Sequence, residues 1–207
     1  MDELLKKYNV SRETIENLRA FQNMVLEWNE KFNLISRSSV DNIWKRHILD
    51  SAQLFAYLKK EDKLLYDFGS GAGFPAVVLA IMSKETLPNL KVTLIESIGK
   101  KTTFLNEVNR ELKLNMAILP ERIEKLTLQA ADIITSRAMA SLEKLLLYAK
   151  PFCNKNTRLL FLKGEKWSEE IKTAEQKWKF DYQTFKSETS DKGKVLLIEH
   201  IRRKTNG

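Results

Sequence analysis

The densest chemical signal in the chain is the run Asp67-Phe68-Gly69-Ser70-Gly71-Ala72-Gly73-Phe74-Pro75. Alternate glycines let a backbone turn sharply and let a ligand approach it, and the start of a helix just beyond offers N–H groups. A strict dinucleotide loop, G-x-G-x-x-G or G-x-G-x-x-A, keeps its third position small to protect helix–strand packing. Counted from Gly69, that position is Phe74. The spacing G-x-G-x-G, with the acid Asp67 two residues ahead, favours a ligand without a pyrophosphate, one that brings a charged amino-acid group and a nucleoside. Asp67, Gly69, Gly71 and Gly73 are therefore nominated as ligand contacts. Glu96 lies 27 residues beyond Gly69 at the end of the run Lys91–Ile95. An acid there can accept hydrogen bonds from both hydroxyls of a ribose lying across strand ends; the plainer reading is a carboxylate favouring a following helix dipole.

Beyond the next apolar run comes Glu121-Arg122-Ile123-Glu124, where an adenine would lie with its ribose on Glu96. Taken together, Asp67, Gly69, Glu96, Ile123 and Glu124 describe a site for S-adenosylmethionine. A nicotinamide-dependent oxidoreductase is the rival enzyme reading, opposed by Phe74, and an RNA-binding module with a vestigial pocket is the non-enzymatic one. Methylation of pyrimidine carbon-5 needs a cysteine nucleophile, and the single cysteine, Cys153, follows Phe152 rather than a proline. Exocyclic adenine nitrogens are usually served by an Asn/Asp-Pro-Pro-aromatic loop, whereas this chain has Ser136-Arg137-Ala138 after the fourth strand. An acceptor with its own in-plane lone pair, such as guanine N7, needs neither nucleophile nor base, and the residues by themselves leave the identity of the nucleotide open. Arg137 is the nominated catalytic residue, contacting the cofactor end and ordering the guanine or its phosphate; the alternative is a surface ion pair. His47 and Asp50, three apart, either orient the glycine loop or hold the first helices in place. No metal site is expected, because His47 and His200 lack companions at ligand spacing.

The elements that must position these groups follow from periodicity. From Ser11, Ile15, Leu18, Phe21, Val25, Trp28 and Phe32 fall on one helical face. A second helix is expected from Ser38-Ser39-Val40-Asp41, read as a capping box, with Trp44, Ile48, Ser51, Phe55 and Leu58 on one stripe. From residue 61 short strands alternate with helices: 64–66, 91–96, 116–119, 132–136 and 158–163 as strands, with helices over 75–83, 100–114 and 141–149. Such alternation predicts βαβ units in a mostly parallel sheet. Residues 180–185 and 195–201, joined by Ser190-Asp191-Lys192-Gly193, predict an antiparallel pair at one edge. The expected architecture is an α/β, Rossmann-like, seven-stranded domain over 61–207, with a helical extension over 1–60 packed upon it.

Composition bounds the rest. The 207 residues are 43% hydrophobic and 30% charged, with 7 Gly and 4 Pro, which excludes collagen-like and disordered classes. One cysteine excludes a disulfide framework and suits a reducing cytoplasm. The longest apolar run, Ala76–Met82, is far shorter than the roughly 20 residues of a membrane span, so no membrane association is expected. The net charge of +8 is concentrated in residues 151–207, where 13 basic residues face 8 acidic ones. That favours a polyanionic partner. Lys100, Lys101, Lys163, Arg202 and Arg203 are nominated for RNA phosphates.

Several stretches resemble the RsmG (GidB) family of 16S ribosomal RNA guanine-N7 methyltransferases. They are Trp28–Leu34, Arg46–Ser51, Asp67–Pro75, Glu96–Lys101, Glu121–Glu124, Ser136–Ser141 and Leu162–Gly164, in order over most of the chain. The resemblance implies a class I methyltransferase fold, S-adenosylmethionine as cofactor, and contacts to it at Gly69, Phe74, Ile123, Glu124 and Arg137. It also implies 16S ribosomal RNA or the small ribosomal subunit as partner and a cytoplasmic location, with a monomer expected. Two departures stand out. Phe74-Pro75 is followed by Ala76 where the family commonly has glycine, and the run before the last strand, Asp191-Lys192-Gly193-Lys194, holds lysine where many members place Arg or His.

Overall fold

The protein's structure, a computed structural model, describes residues 3–204, with side chains from Lys6 onward. The chain opens with α1 (Glu3–Tyr8) and α2 (Arg12–Phe32). Ser11 caps α2 by accepting the Thr14 N–H at 3.1 Å, and Ile15, Leu18, Phe21 and Val25 are buried on one face. Next come α3 (Arg37–Val40), a π-helical turn over Trp44–Leu49, α4 (Asp50–Ala52) and a 3-10 turn over Gln53–Tyr57. The capping box expected at Ser38 does not form. Ser36, two residues earlier, takes the extended backbone ahead of α3, and the Ser39 hydroxyl donates to its carbonyl at 2.7 Å. With three serines in four positions, local sequence could not select the cap. The expected stripe also rotates: Ile48 and Ser51 are fully buried, but Ala52, Gln53 and Leu54 join them while Phe55 and Leu58 are only partly covered. A π turn inserts an extra residue per turn and so shifts the buried face.

The strands and helices then alternate: β1 (Leu64–Phe68), α5 (Ala76–Thr86), β2 (Lys91–Ile95), α6 (Gly99–Leu112), β3 (Ala117–Leu119), β4 (Ile133–Arg137), α7 (Leu142–Ala149), β5 (Arg158–Lys163), α8 (Trp167–Glu175), β6 (Trp178–Lys186) and β7 (Lys194–Arg203). Most boundaries lie within two residues of the periodicity reading; β6 starts two residues early and α6 stops two residues short. Sequence reading missed α1 and α8. In α8 only Ile171 and Ala174 are buried, too short an apolar pattern to stand out.

The sheet order is β3-β2-β1-β4-β5-β7-β6. Strands β3, β2, β1, β4 and β5 are parallel, and β7 runs antiparallel to both β5 and β6. Strand order reverses direction at β1 and β4, so the carboxyl ends of these strands form the crevice where open α/β sheets bind ligands. One face of the sheet shares a hydrophobic core with α2, the π turn, α5 and α6; the other is covered by α7 and α8. A buried ion pair ties the helical layer to the sheet. Arg158, the first residue of β5, donates through Nη2 to Asp62 Oδ1 at 2.5 Å and Oδ2 at 2.7 Å, and through Nη1 to the Tyr57 carbonyl. Among the described residues no helix is long and apolar enough to cross a membrane.

Candidate active site

The loop between β1 and α5 is shaped by its own backbone. The Gly69 and Ser70 N–H groups donate to the Ile95 carbonyl at the end of β2, and the Gly73 N–H donates to the Ser70 carbonyl at 2.7 Å. Gly71 and Gly73 hold φ values of +57° and +91°, a region that costs an L-residue about 1–2 kcal/mol. Their surroundings differ. A Cβ on Gly71 would meet only the Gly69 carbonyl, at 3.8 Å, whereas one on Gly73 would lie 2.5 Å from Val77 Cγ2 and 3.2 Å from Leu105 Cδ2. Gly71 keeps a ligand space open; Gly73 lets α5 and α6 close on the loop.

Glu96, at the end of β2, is 6% exposed and braces this loop. Its Oε2 accepts the Gly71 N–H at 2.9 Å and its Oε1 accepts the Ile98 N–H at 2.8 Å. A carboxylate has about four acceptor positions, so each oxygen keeps one for a ligand hydroxyl. Loop and acid open on a cavity of about 520 Å³, within the usual span of small-molecule sites. Gly69, Gly71, Phe74, Glu96, Ile123, Glu124 and Arg137 all line it. Asp67 and Gly73 are not among its lining residues. Asp67 is fully buried; its Oδ1 accepts from the Thr135 hydroxyl at 2.6 Å, and its Oδ2 has no hydrogen-bond partner. Burial pushes its carboxyl up to about 6, while the Thr135 hydrogen bond and the nearby Arg137 charge pull the other way. Leu34, Ile35, Ile98, Met139 and Tyr148 line the cavity too. Sequence reading missed them, because a wall made from four separate segments leaves no periodic trace. Ile98 and Met139 are exposed apolar residues, and exposure is invisible in sequence.

Phe74 explains why the third loop position is large. It turns away from the strand into the helical layer, 5.1 Å between ring centroids from Phe21 and stacked on the His47 ring at 4.9 Å and 25°. The Phe74–Pro75 peptide is cis, and Ala76 is wholly buried in the first turn of α5. His47 thus touches the loop and also receives Arg137, whose Nη2 donates to His47 Nδ1 at 2.6 Å. Because arginine only donates, the neutral imidazole carries its proton on Nε2. Burial, then the charges of Arg137 and Arg46, push the imidazole down to about 3, so it is uncharged at neutral pH. The Arg137 guanidinium also donates to the Arg46 carbonyl at 3.2 Å, lies 3.6 Å from Asp50 Oδ2, and sits 5.1 Å above the Phe74 ring. The two sequence readings of His47 and Asp50 prove to be one arrangement. Both meet Arg137 at the end of β4 and so tie the helical layer to it, and His47 also braces the glycine loop through Phe74. Arg137 is 18% exposed rather than a solvated surface cation.

A second cavity of about 950 Å³ adjoins the first, and His47, Arg137, Ala138 and Met139 line both. Ala138 takes a positive φ of 53° in the bend after β4, and Met139 folds back over Gly69, its Cγ 2.7 Å from where a Cβ would stand. Other walls come from the π turn, from Lys163 and from the loop between β6 and β7. Lys163 is 8% exposed; its ammonium donates to Glu170 Oε2 at 2.7 Å and to the Ala140 carbonyl at 2.8 Å, clamping α8 to the bend after β4. Lys100 is exposed and Lys101 lines the first cavity. Arg202 and Arg203 pair with Lys179 and Trp178 at one end of β7, while Lys194 at its other end pairs with Lys163. At about 3.3 Å per residue this separates them from the cavities by roughly 25 Å. Cys153 Sγ donates to the Ala149 carbonyl, and burial pushes its thiol up to about 12, which leaves it no nucleophilic part.

A family model described as rRNA small subunit methyltransferase G (GidB) matches residues 14–202. Ribosomal RNA small subunit methyltransferase G of Cereibacter sphaeroides is 43% identical over 200 residues, covering 97% of each chain. The protein of that name from Bartonella tribocorum is 41% identical, covering 94% of this chain and 91% of its own. Among solved structures, the M. jannaschii TYW2 complex with AdoMet superposes with a TM-score of 0.57 at 19% identity, covering 78% of each chain. The ribosomal protein L11 methylase of Lactobacillus delbrueckii subsp. bulgaricus gives 0.57 at 16% identity, covering 75% of this chain and 77% of its own. At such identities these structures show a shared fold.

Proposed function

The chain belongs to the rRNA small subunit methyltransferase G (GidB) family, and from that premise we propose that it methylates N7 of a guanine in 16S ribosomal RNA, with S-adenosylmethionine as methyl donor. The observation that carries the assignment is Glu96, which braces the Gly71 N–H and keeps acceptor positions facing the first cavity. Those positions suit a ribose, Ile98 and Ile123 give apolar walls for an adenine, and the open space at Gly71 leaves room for the backbone of the ligand. When bound, S-adenosylmethionine supplies a sulfonium methyl that N7 takes with its own lone pair, so no proton has to leave.

The protein's own work is then to orient. The target guanine occupies the second cavity and meets the first at the wall of His47, Arg137, Ala138 and Met139. Holding both partners in line is worth roughly 7–11 kcal/mol of barrier. Arg137, fixed on three sides, offers its remaining donors to the cofactor carboxylate or to an RNA phosphate. Asp67 and Gly73 support the loop from beneath rather than touch the ligand. Lys101 at the rim of the first cavity and its exposed neighbour Lys100, with Lys45 and Lys194 at the second, supply charge for phosphates. Lys163 serves the site through its clamp on Glu170. A nucleotide delivered to this cavity must leave its stack, which costs a few kcal/mol and is recovered from such contacts.

The test incubates the protein with labelled S-adenosylmethionine and either protein-free 16S RNA or small subunits from cells lacking the enzyme, followed by chemical cleavage at N7-methylguanine. One protein-dependent cleavage is expected. Label at another atom, or tight NAD binding with no S-adenosylhomocysteine binding, would overturn the assignment.

A further inference from the structure

The carboxylate of Asp50 faces two parts of the molecule that are distant in sequence. Its Oδ2 is 3.6 Å from the guanidinium of Arg137, at the junction of the two cavities. Its Oδ1 accepts from the Thr189 hydroxyl at 2.7 Å, across 139 residues of sequence, and from Gln53 Nε2 at 2.9 Å. Thr189 belongs to the loop between β6 and β7, which walls the second cavity through Ser187, Thr189, Ser190 and Gly193. Gln53 in turn accepts the Glu188 N–H of that loop at 3.1 Å, and its Nε2 also donates to the Asp50 carbonyl at 2.8 Å. Tyr8 and Lys7 hold the Glu188 carboxylate from the side of α1. Asp50 is itself anchored in the helical layer, in the turn that follows His47.

We propose that Asp50 is a positioning residue for methyl transfer, tying Arg137 at the junction to the substrate-walling loop at Thr189 so that the acceptor base meets the methyl donor in one orientation. The inference rests on the function proposed above, and specifies how two walls built from separate segments are kept in register. The physical grounds are the geometry and the chemistry of a carboxylate. Asp50 is 18% exposed, its two oxygens serve different elements, and a charged acceptor makes hydrogen bonds roughly twice as strong as a neutral one. Thr189 lies on a loop tip, the kind of segment that opens most readily; Gln53, Tyr8 and Lys7 hold its neighbour Glu188, and the Asp50 carboxylate is the contact that links the loop to Arg137. Misplacing a reacting group by about 1 Å can cost on the order of a hundredfold in rate.

The two arms can be cut separately. Asp50→Asn keeps an oxygen for Thr189 and Gln53 but turns an amide donor toward Arg137; Thr189→Val removes the hydroxyl at constant size. Steady-state methylation is measured for each, with small-subunit RNA and S-adenosylmethionine varied in turn. For Asp50→Asn, kcat should fall about tenfold or more with the RNA KM within about threefold of the parent. For Thr189→Val, the RNA KM should rise more than about threefold, with a smaller loss of kcat than in Asp50→Asn. Asp50→Ala should combine both defects, and adding Thr189→Val to it should raise KM no further. Thermal unfolding and S-adenosylhomocysteine binding establish that each variant is folded; if Asp50→Ala is not, the two isosteric changes carry the test. An Asp50→Asn enzyme within twofold of the parent in kcat, or the same kcat and KM pattern for both single variants, overturns the proposal. A parent enzyme that does not methylate guanine N7 defeats the function itself, a result distinguishable from active parent and active variants.

Discussion

Substituting the glycines of the loop one at a time separates ligand space from packing space. Gly71→Ala places a methyl in open volume, so its cost to the fold is backbone strain alone, about 1–2 kcal/mol for a residue held in the left-handed region. Gly73→Ala carries similar strain and adds overpacking against Val77 and Leu105, typically another 1–3 kcal/mol. In a chain of this length 1 kcal/mol shifts Tm by roughly 2–4 °C. Gly71→Ala should therefore lower Tm by roughly 2–8 °C and Gly73→Ala by roughly 4–20 °C. Ligand binding should rank the other way once stability is allowed for. Gly71→Leu fills the space beside Glu96 and should abolish S-adenosylhomocysteine binding in calorimetry, while Gly73→Ala, assayed well below its Tm, should retain most of it. RNA affinity should stay nearly unchanged in Gly71→Leu. If Gly71→Leu bound S-adenosylhomocysteine as the parent does, the placement of the cofactor on this loop would be wrong.

Asp62→Ala leaves the Arg158 guanidinium buried without its counter-charge, and removing one partner of such a pair costs about 3–5 kcal/mol; a urea midpoint equivalent to less than 1 kcal/mol of loss would refute the pinning role. His47 titrates at about 3 when folded against 6.5 in a free chain, so between those values only the unfolded state takes up a proton. Its contribution is present above pH 6.5 and is lost as pH falls toward 3. His47→Gln should flatten the decline of Tm between pH 7 and pH 4, and parallel profiles for variant and parent would contradict the buried neutral imidazole. Lys100→Ala with Lys101→Ala should weaken RNA binding and reduce the slope of log affinity against log salt by about 2. Arg202→Ala with Arg203→Ala, at the far end of β7, should leave that slope unchanged, and a larger effect there would move the RNA face away from the cavities.

Much of this protein is written locally. Apolar spacing gives α2, five parallel strands and the helices between them, because periods of 3.6 and 2 are properties of each segment by itself. The glycine loop and Glu96 could be linked from sequence, since β1, the first crossover helix and β2 form one right-handed unit that brings their ends together. What the sequence left open concerns residues joined only when layers pack. His47 and Asp50 had two readings until tertiary structure set them against Arg137, some 90 residues away. Lys163 looked like a cation for RNA and is instead neutralised by Glu170 of a helix with too thin a pattern to detect. Arg202 and Arg203 shared the positive charge of the last third of the chain but lie at the end of β7 far from the cavities, a placement fixed by β7 running antiparallel to β5. Which side chains exist, and in what rhythm, is information along the chain. Which of them face each other across a cavity depends on strand direction and on the rotation that one π turn adds to a helix, and only the packed molecule settles both.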